Sequence, residues 1–421
     1  MPDARRLTQP ISLALSAVGA RRTRSADEVA ASQAFYAMPD EISPLPGTLI
    51  RDEPAMFFLD PFRLVKAPAR AERIMFTSTD RLGRPIAVTG VVLTPTRPRT
   101  KRADRALVAF AVGTQGMGSQ CAPSRQMAAG REYESLFIGG LLARGYNVVV
   151  PDYQGLGVTG THTYMSREVQ GHVVLDAIRA ARELGSAEIP LDGPVAITGY
   201  SQGGGAAASA AEIAHEYAPE LEIVGVVAGA VPADLGLTAK LLDGSAYFGF
   251  LGYAVAGLTA DYGIDPALLL NDDGMAMVER ITGQCLFESL RTYAFTKSSS
   301  LTKDGRSISR MLRDEPFATM VADQRLGEGR WPRMPVLLVH SRLDDVVPYE
   351  AGRALAERWV TQGARVRFST FHAPTHAIAA VTSYASAFTF LHRRFTGQPM
   401  RPNTARYLRD LADDRTDGGD Q

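Results

Sequence analysis

Residues 194–211 read PVAITGYSQGGGAAASAA, and this stretch decides the fold. Its first five residues form a short apolar run with β-branched side chains, which is typical of a buried strand. The small residues after Gly203 favour a helix. A strand, a Gly-x-Ser-x-Gly turn and a helix in this order predict a nucleophile elbow that exposes the Ser201 hydroxyl. The alternative is a glycine-rich turn whose serine caps the helix.

The segments around this turn alternate between strand and helix patterns. The predicted strands are 106–112, 146–151, 194–198, 223–227, 335–340 and 365–371, and the predicted helices between them include 133–143, 167–184, 350–362 and 377–395. Because these strands are continuously apolar, we predict a mostly parallel, doubly wound α/β sheet. Residues 73–79 and 84–93 predict an additional hairpin.

The alternation breaks once along the chain. Residues 232–330 carry helical patterns and no clear strand, so we predict a helical insertion into the sheet. The predicted organisation is a leader over 1–35, a core over 36–231 and 331–400, a helical cap over 232–330 and a flexible tail over 401–421.

The composition excludes several classes of protein. The chain has 421 residues, of which 45% are hydrophobic, and its 45 basic and 45 acidic side chains balance. A zero net charge gives no basic field to attract nucleic acid. No apolar run approaches the roughly 18 residues of a transmembrane helix. Since the sequence has no H-E-x-x-H, Walker or G-x-G-x-x-G motif after a strand, we predict no metal and no cofactor.

Two features bear on the compartment. Arg5 and Arg6 precede an apolar stretch at 11–20 that resembles a short signal peptide, and an arginine-rich disordered leader is the alternative. Cys121 and Cys285 are too few for a disulfide framework or a four-cysteine zinc site. Their spacing fits one long-range bridge, which would require an oxidising compartment, and equally fits two buried thiols.

A serine hydroxyl becomes nucleophilic when a histidine removes its proton, and an acid holds that histidine in place. In an elbow enzyme both follow the serine in chain order. We predict Asp344 as the acid because it lies directly after strand 335–340, with Asp345 as the alternative or as a helix cap. We predict His376 as the base because it starts the last helix, with His372 as the alternative.

The developing negative oxygen of an ester needs two backbone N–H donors. The first should come from Gln202, the residue after the serine. The second should come from the glycine-rich loop 113–118, where we predict Gln115 because its side-chain amide could donate as well. The competing loop, 152–157, would line the site or form an ordinary turn.

Several motifs together resemble the secretory lipase family, which includes fungal lipases of the lipase A type and actinobacterial relatives. The matching segments are Phe35-Tyr36-x-x-Pro39, PGTLIRDEP at 46–54, CAPS at 121–124, DYQG at 152–155, GYSQGG at 199–204, YAPEL at 217–221 and D-x-VVPY at 344–349. Together with the histidine segment they span about residues 35–400 in order. Such a series is far more specific than the elbow motif alone.

The resemblance implies an α/β-hydrolase with a helical cap that cleaves acylglycerols and other carboxylic esters. The family's catalytic triad falls on Ser201, Asp344 and His376. The resemblance also implies a disulfide between Cys121 and Cys285, and export from the cell or to its envelope, with the cytoplasm as the alternative. An acyltransferase or peptidase on the same fold, or a non-catalytic binding protein, are the alternative functions.

Residues 246–258 are apolar nearly all round and contain three glycines. They predict both a buried cap helix and one wall of an acyl-binding tunnel. We predict Phe248 and Phe250 as substrate contacts within the cap. Around the serine, the predicted substrate contacts are Asp152, Tyr153 and Tyr200. The expected partner is a lipid or other small ester, bound at a lipid interface or from solution.

Overall fold

The computed structural model describes residues 33–97, 106–187 and 189–402, so the predicted tail and most of the predicted leader lie outside the described residues. Nine strands form a single sheet. They are β1 Leu49–Ala55, β2 Ala69–Thr79, β3 Pro85–Pro95, β4 Leu107–Ala111, β5 Asn147–Pro151, β6 Val195–Tyr200, β7 Ile223–Gly229, β8 Val336–Ser341 and β9 Val366–Phe371. Their order across the sheet is β1-β2-β3-β5-β4-β6-β7-β8-β9.

In this spatial order, the six strands that begin with β5 and end with β9, including β4, are parallel. Strands β1, β2 and β3 pair in antiparallel fashion. The predicted hairpin is present, with Thr79 of β2 opposite Pro85 of β3. Strand β1 was not predicted, because its central Arg-Asp-Glu sequence lacks the apolar run of a buried strand. It is an edge strand, which tolerates such charges. The predicted α/β-hydrolase fold, with its mostly parallel sheet, is confirmed.

Helices cover both faces of this sheet. They are α1 Pro123–Ala129, α2 Ser135–Ala143, α3 Arg167–Glu183, α4 Gln202–Tyr217, α5 Leu235–Leu242, α6 Gly249–Tyr262, α7 Asp272–Ile281, α8 Leu286–Tyr293, α9 Ile308–Met311, α10 Phe317–Asp323, α11 Tyr349–Thr361 and α12 His376–Phe395. On one face α3 packs on α4, and Trp359 of α11 donates to Glu212 of α4. On the other face Phe137 of α2 stacks on Phe388 of α12 at 4.6 Å between ring centroids.

The turn between β6 and α4 has the geometry of a nucleophile elbow. Ser201 lies at φ 61° and ψ −122°, in a region that non-glycine residues rarely adopt. Gly203 and Gly204 let α4 approach the neighbouring strands, since a Cβ on either would overlap the carbonyl oxygens of Ala111 and Gly229 respectively. These glycines are therefore needed for close packing of the helix on the sheet.

Helices α5–α10 form a second apolar cluster over the carboxyl ends of the strands. The residues between β7 and β8 contain no strand of the sheet. A disulfide joins Cys285, in front of α8, to Cys121, which follows β4 in the core. The bond closes a separation of 164 residues and attaches the insertion to the loop after β4. Among the described residues, no helix is both long enough and apolar enough to cross a bilayer.

Replacing Gly204 with alanine should lower the free energy of unfolding by about 1–3 kcal/mol, because the added Cβ meets the Gly229 carbonyl. The control is Gly205→Ala, whose Cβ would lie 3.5 Å from the Pro232 side chain, an ordinary contact. Alanine is also the better helix former, so Gly205→Ala should be neutral or stabilising by up to about 1 kcal/mol. Chemical denaturation of both variants measures the difference, and equal midpoints would contradict this account of the packing.

Reducing the disulfide should lower the free energy of unfolding by about 2–4 kcal/mol, because the bond removes conformations from the unfolded chain. The measurement is chemical denaturation with and without dithiothreitol. The control is the double variant Cys121→Ser with Cys285→Ser, which should match the reduced wild type and should not respond to dithiothreitol. Two thiols titrating in the unreduced, denatured wild type would show that the bond does not form.

Candidate active site

Asp344 and His376 form a hydrogen-bonded pair at the carboxyl ends of β8 and β9. These two strands are neighbours, with Ser341 opposite Phe371, so the loops that follow them meet. His376 is the first residue of α12, and its Nδ1 lies 2.8 and 2.9 Å from the two carboxylate oxygens of Asp344. The carboxylate therefore fixes the imidazole with Nε2 as the remaining ring nitrogen.

The Asp344 side chain is completely buried and yet favours its charged form. Burial raises the pKa of this carboxyl, but the hydrogen bond from His376 and the backbone N–H groups outweigh burial and leave the pKa below its usual range. Val346 N and Val347 N donate to Oδ1 at 3.0 and 2.8 Å. The resulting stabilisation is present above the ordinary aspartate pKa and is lost as pH falls through the lowered one.

Asp345, the alternative acid, contacts the same region through different atoms. Its Oδ1 accepts from the backbone N–H of His376 at 2.8 Å, and its Oδ2 accepts from the Tyr247 hydroxyl at 3.2 Å. The alternative interpretation of Asp345 as a cap for the helix that follows it is wrong, since its carboxylate binds the first N–H of α12 instead. The alternative histidine, His372, is exposed to solvent.

Tyr200 links this pair to the elbow. Its ring lies 4.9 Å from the His376 ring, and its hydroxyl donates to the His376 carbonyl at 3.2 Å. Ser201 follows Tyr200 directly, so the elbow lies beside the imidazole. Among the described residues, no group makes a hydrogen bond with the Ser201 hydroxyl, which faces a cavity instead.

The cavity at Ser201 is apolar and lies mainly within the 232–330 insertion. Ser201, Thr238 and Thr259 are its only aliphatic hydroxyl-bearing wall residues among the described side chains. Val346 and Val347, which bind Asp344 through their N–H groups, line it on the core side. The wall can therefore surround a hydrocarbon chain whose polar end reaches Ser201.

Helix α6 supplies one wall of the cavity, as its apolar sequence predicts. Phe250, Ala254 and Leu258 lie four residues apart and share the face that lines the cavity. Phe248, the other predicted contact, is completely buried in the apolar cluster and is not a wall residue. Tyr200 likewise packs on His376 without lining this cavity.

Asp152 and Tyr153 lie beneath the site. The two Asp152 oxygens accept from Thr89 Oγ1 at 2.6 Å and from the backbone N–H and hydroxyl of Ser124 at 2.8 and 2.5 Å. The Tyr153 hydroxyl donates to the Val112 carbonyl at 3.0 Å. Both side chains are buried and neither lines the cavity. Their positions argue against the predicted contact with substrate and give them a structural role.

Gln202 starts α4, so its backbone N–H has no partner within the helix. Its side chain is held by His162, whose ring nitrogen Nε2 lies 3.1 Å from Gln202 Nε2. Burial lowers the pKa of His162 to about 4, so the ring is neutral. Because His162 Nδ1 donates to the Gln154 carbonyl at 2.8 Å, Nε2 carries the lone pair that accepts from Gln202.

Gln115 lies in the loop after β4, the strand beside β6. Its carbonyl accepts from Leu286 N of the insertion at 2.9 Å, and its side-chain amide donates to Glu132 at 3.1 Å. Within the described chain, its backbone N–H has no hydrogen-bond acceptor. The side-chain amide, predicted as an additional donor, is thus engaged by Glu132, while the backbone donor is free.

The residues behind this loop were not predicted as site residues; they are Glu132, Tyr133, Glu134 and His162. Nothing in the Arg-Glu-Tyr-Glu stretch before α2 marks it as part of a site, since acidic residues before a helix are common on surfaces. The burial of the Glu132 and Glu134 carboxyl groups identifies this stretch, and only the structure shows that burial.

The chain is similar to known lipases and esterases. A family model described as secretory lipase matches residues 122–403. A secreted triacylglycerol lipase of Malassezia furfur is 29% identical over 313 residues, which cover 70% of this chain and 80% of that protein. A Mycobacterium tuberculosis protein named "probable inactive lipase" is 30% identical over 386 residues, which cover 86% of this chain and 81% of that protein.

Two solved structures share the fold. Candida antarctica lipase A in its closed state superposes with a TM-score of 0.77 at 24% identity, covering 87% of this chain and 86% of that one. A rice cell wall degrading esterase from Xanthomonas oryzae gives a TM-score of 0.67 at 22% identity, covering 83% and 98%. The family model spans well over half of the sequence, so the chain belongs to the secretory lipase family of carboxylic ester hydrolases.

Proposed function

We propose that the chain hydrolyses the ester bonds of acylglycerols and related lipids through an acyl-enzyme on Ser201. The observation that carries this proposal is the junction of the cavity with the Asp344–His376 pair. Ser201 and Val347 line the same apolar cavity, and Val347 N binds the carboxylate that holds His376. A bound acyl chain thereby brings its ester group to a serine beside a hydrogen-bonded imidazole.

In the first half of the proposed reaction, Ser201 Oγ attacks the ester carbonyl carbon while His376 Nε2 takes the hydroxyl proton. Asp344 stabilises the imidazolium that forms, which its depressed pKa supports. The carbonyl oxygen becomes an oxyanion that accepts from the Gln202 and Gln115 backbone N–H groups. As the tetrahedral intermediate collapses, the carbon–oxygen bond to the alcohol breaks and His376 protonates the leaving alcohol.

In the second half, a water molecule attacks the acyl carbon and gives its proton to His376. The same two N–H groups hold the second oxyanion. The bond to Ser201 Oγ then breaks, His376 returns the proton to the serine, and the fatty acid leaves. Both donor residues are held before substrate binds. Glu132 binds the side chain of Gln115, and His162 binds the side chain of Gln202.

The cavity supports an acyl chain as the specific part of the substrate. Its wall offers almost no hydrogen-bonding group away from Ser201, so a polar or charged chain would lose its hydration without compensation. Each methylene buried there contributes about 0.8 kcal/mol. We therefore propose lipid esters as substrates, with medium or long acyl chains preferred over acetyl.

Export of the enzyme is part of the same proposal. The disulfide between Cys121 and Cys285 is a bond that persists in oxidising compartments. The family is described as secretory, and the Malassezia furfur relative is named as secreted. Fractionation of the native host into medium, envelope and cytoplasm would test it.

Because one relative has a name that denotes an inactive lipase, activity is the first measurement. Wild-type protein should hydrolyse p-nitrophenyl esters, and Ser201→Ala should lower kcat by at least about 10⁴-fold. Asp344→Asn should lower kcat by about 10³- to 10⁴-fold, because the amide cannot stabilise the imidazolium.

The matched control for this prediction is Asp345→Asn. Its side chain can still accept from His376 N and contact the Tyr247 hydroxyl, so kcat should fall by less than about tenfold. Full esterase activity in Ser201→Ala would refute the proposed nucleophile. A larger loss of kcat in Asp345→Asn than in Asp344→Asn would show that Asp344 is not the catalytic acid.

Filling the cavity should change the acyl-chain preference. Ala254→Phe places a ring in the wall, so the ratio of kcat/KM for decanoate over acetate should fall by about tenfold or more, which corresponds to roughly two buried methylenes. The control is Ala260→Phe, which adds the same ring on the exposed side of the same helix. An unchanged ratio in Ala254→Phe would show that the acyl chain binds elsewhere.

A further inference from the structure

Three consecutive residues before α2 hold three consecutive residues of the loop after β4. Glu134 Oε2 accepts from Gly113 N at 2.6 Å, and the Tyr133 hydroxyl donates to the Thr114 carbonyl at 3.1 Å. Glu132 Oε1 accepts from the Gln115 side chain at 3.1 Å. Each residue of the loop segment up to the proposed oxyanion donor thus has its own partner, and we name residues 132–134 the clamp.

The clamp also lies against the elbow through Gly113. A Cβ placed on Gly113 would lie 2.5 Å from the Tyr133 hydroxyl and 3.5 Å from the Tyr200 carbonyl oxygen. No side chain other than glycine's hydrogen fits between these groups without displacement. Gly113 therefore lies packed between the clamp and the residue before Ser201.

Both carboxyl groups of the clamp are buried without a cation. Glu132 and Glu134 are 4% and 7% exposed. Within the described chain, neither forms an ion pair with an arginine, lysine or histidine. Their neighbours are neutral donors, among them the Ser135 hydroxyl, which lies 3.4 Å from Glu132 Oε2. Two buried acids without a counter-ion cost stability, so their place beside this loop calls for an explanation.

We propose that the clamp positions the Gly113–Gln115 backbone for oxyanion stabilisation and that loss of the proton from its carboxyl pair weakens this positioning. The proposal rests on the proposed function, because it assumes that the Gln115 N–H is an oxyanion donor. Glu132, Tyr133 and Glu134 are positioning residues, since they act through the loop and contact no substrate atom.

The direction of the pH effect follows from burial. Burial raises the pKa of both carboxyls, and the charge of Glu132 raises the pKa of Glu134 further. The phenols of Tyr133, Tyr153 and Tyr384 also face the pair, and the pKa of each is raised above its ordinary value, so they stay neutral.

The pair therefore keeps a proton to higher pH than surface carboxyls do. An unfolded chain releases that proton near the ordinary glutamate pKa, so stability is highest below this value and falls as pH rises toward the raised one. Above the raised range two buried negative charges face each other beside the loop. We expect kcat to decline on this alkaline side.

The test compares Glu134→Leu with Glu134→Gln. Leucine removes the acceptor for Gly113 N, so kcat for a p-nitrophenyl ester should fall by about ten- to hundredfold while KM changes by less than threefold, as expected when only transition-state binding weakens. Glutamine can still accept from Gly113 N and cannot ionise. Its kcat at neutral pH should stay within about threefold of wild type, and the alkaline decline should diminish.

Two further variants separate positioning from general stability. Glu212→Gln changes another buried acid, which binds Trp359 and lies away from the loop, and its kcat and pH profile should match wild type. Tyr133→Phe removes the contact to the Thr114 carbonyl and should lower kcat severalfold with KM unchanged. If Glu134→Leu does not fold, Glu134→Gln and Tyr133→Phe still decide the question.

The rate at which a fluorophosphonate labels Ser201 distinguishes the two proposals. Wild type that neither hydrolyses esters nor becomes labelled would overturn the proposed function and the clamp with it. If wild type hydrolyses esters and is labelled, while the folded clamp variants keep the wild-type kcat and alkaline profile, only the clamp proposal is overturned. A parallel loss of labelling rate and kcat in Glu134→Leu, with recovery in Glu134→Gln, is the expected result.

Discussion

The backbone of Ser201 is the constraint on which the rest of the site depends. A serine at φ 61° costs on the order of 1–3 kcal/mol and persists only where its surroundings hold it. Here Gly203 and Gly204 let α4 press against the carbonyls of β4 and β7. Packing on the sheet therefore stabilises the strained turn. The turn places the Ser201 hydroxyl close to the free N–H of Gln202.

The loop after β4 is held from two sides. On the core side the clamp binds Gly113, Thr114 and Gln115. On the cap side Leu286 N binds the Gln115 carbonyl, Met117 N donates to the Gln284 carbonyl at 3.0 Å, and the disulfide follows four residues later. Within the described chain the Gln115 N–H has no acceptor, and its segment is anchored on both sides, which is the condition for a preorganised donor.

Buried acids at this site differ in charge because their donors differ. Asp344 receives an imidazole and two backbone N–H groups, which together outweigh burial and lower its pKa. Glu132 and Glu134 receive only neutral donors and lie near each other, so burial prevails and raises the pKa of both. One fold thus favours the charged form of the carboxyl beside His376 and disfavours it for the pair behind the loop after β4.

The sequence by itself determined the parallel strands, the hairpin and the loops that carry Ser201, Asp344 and His376, because apolar periodicity and glycine positions depend on neighbours along the chain, whereas the charged edge strand β1 could not be predicted in this way. Only the tertiary structure decided which side chains face the cavity. Phe250 lines it and Phe248 does not, Asp152 lies under it, and Asp345 caps α12. The clamp could not be predicted from the sequence for the same reason, since burial and hydrogen bonding of Glu132 and Glu134 arise from segments far apart in the chain.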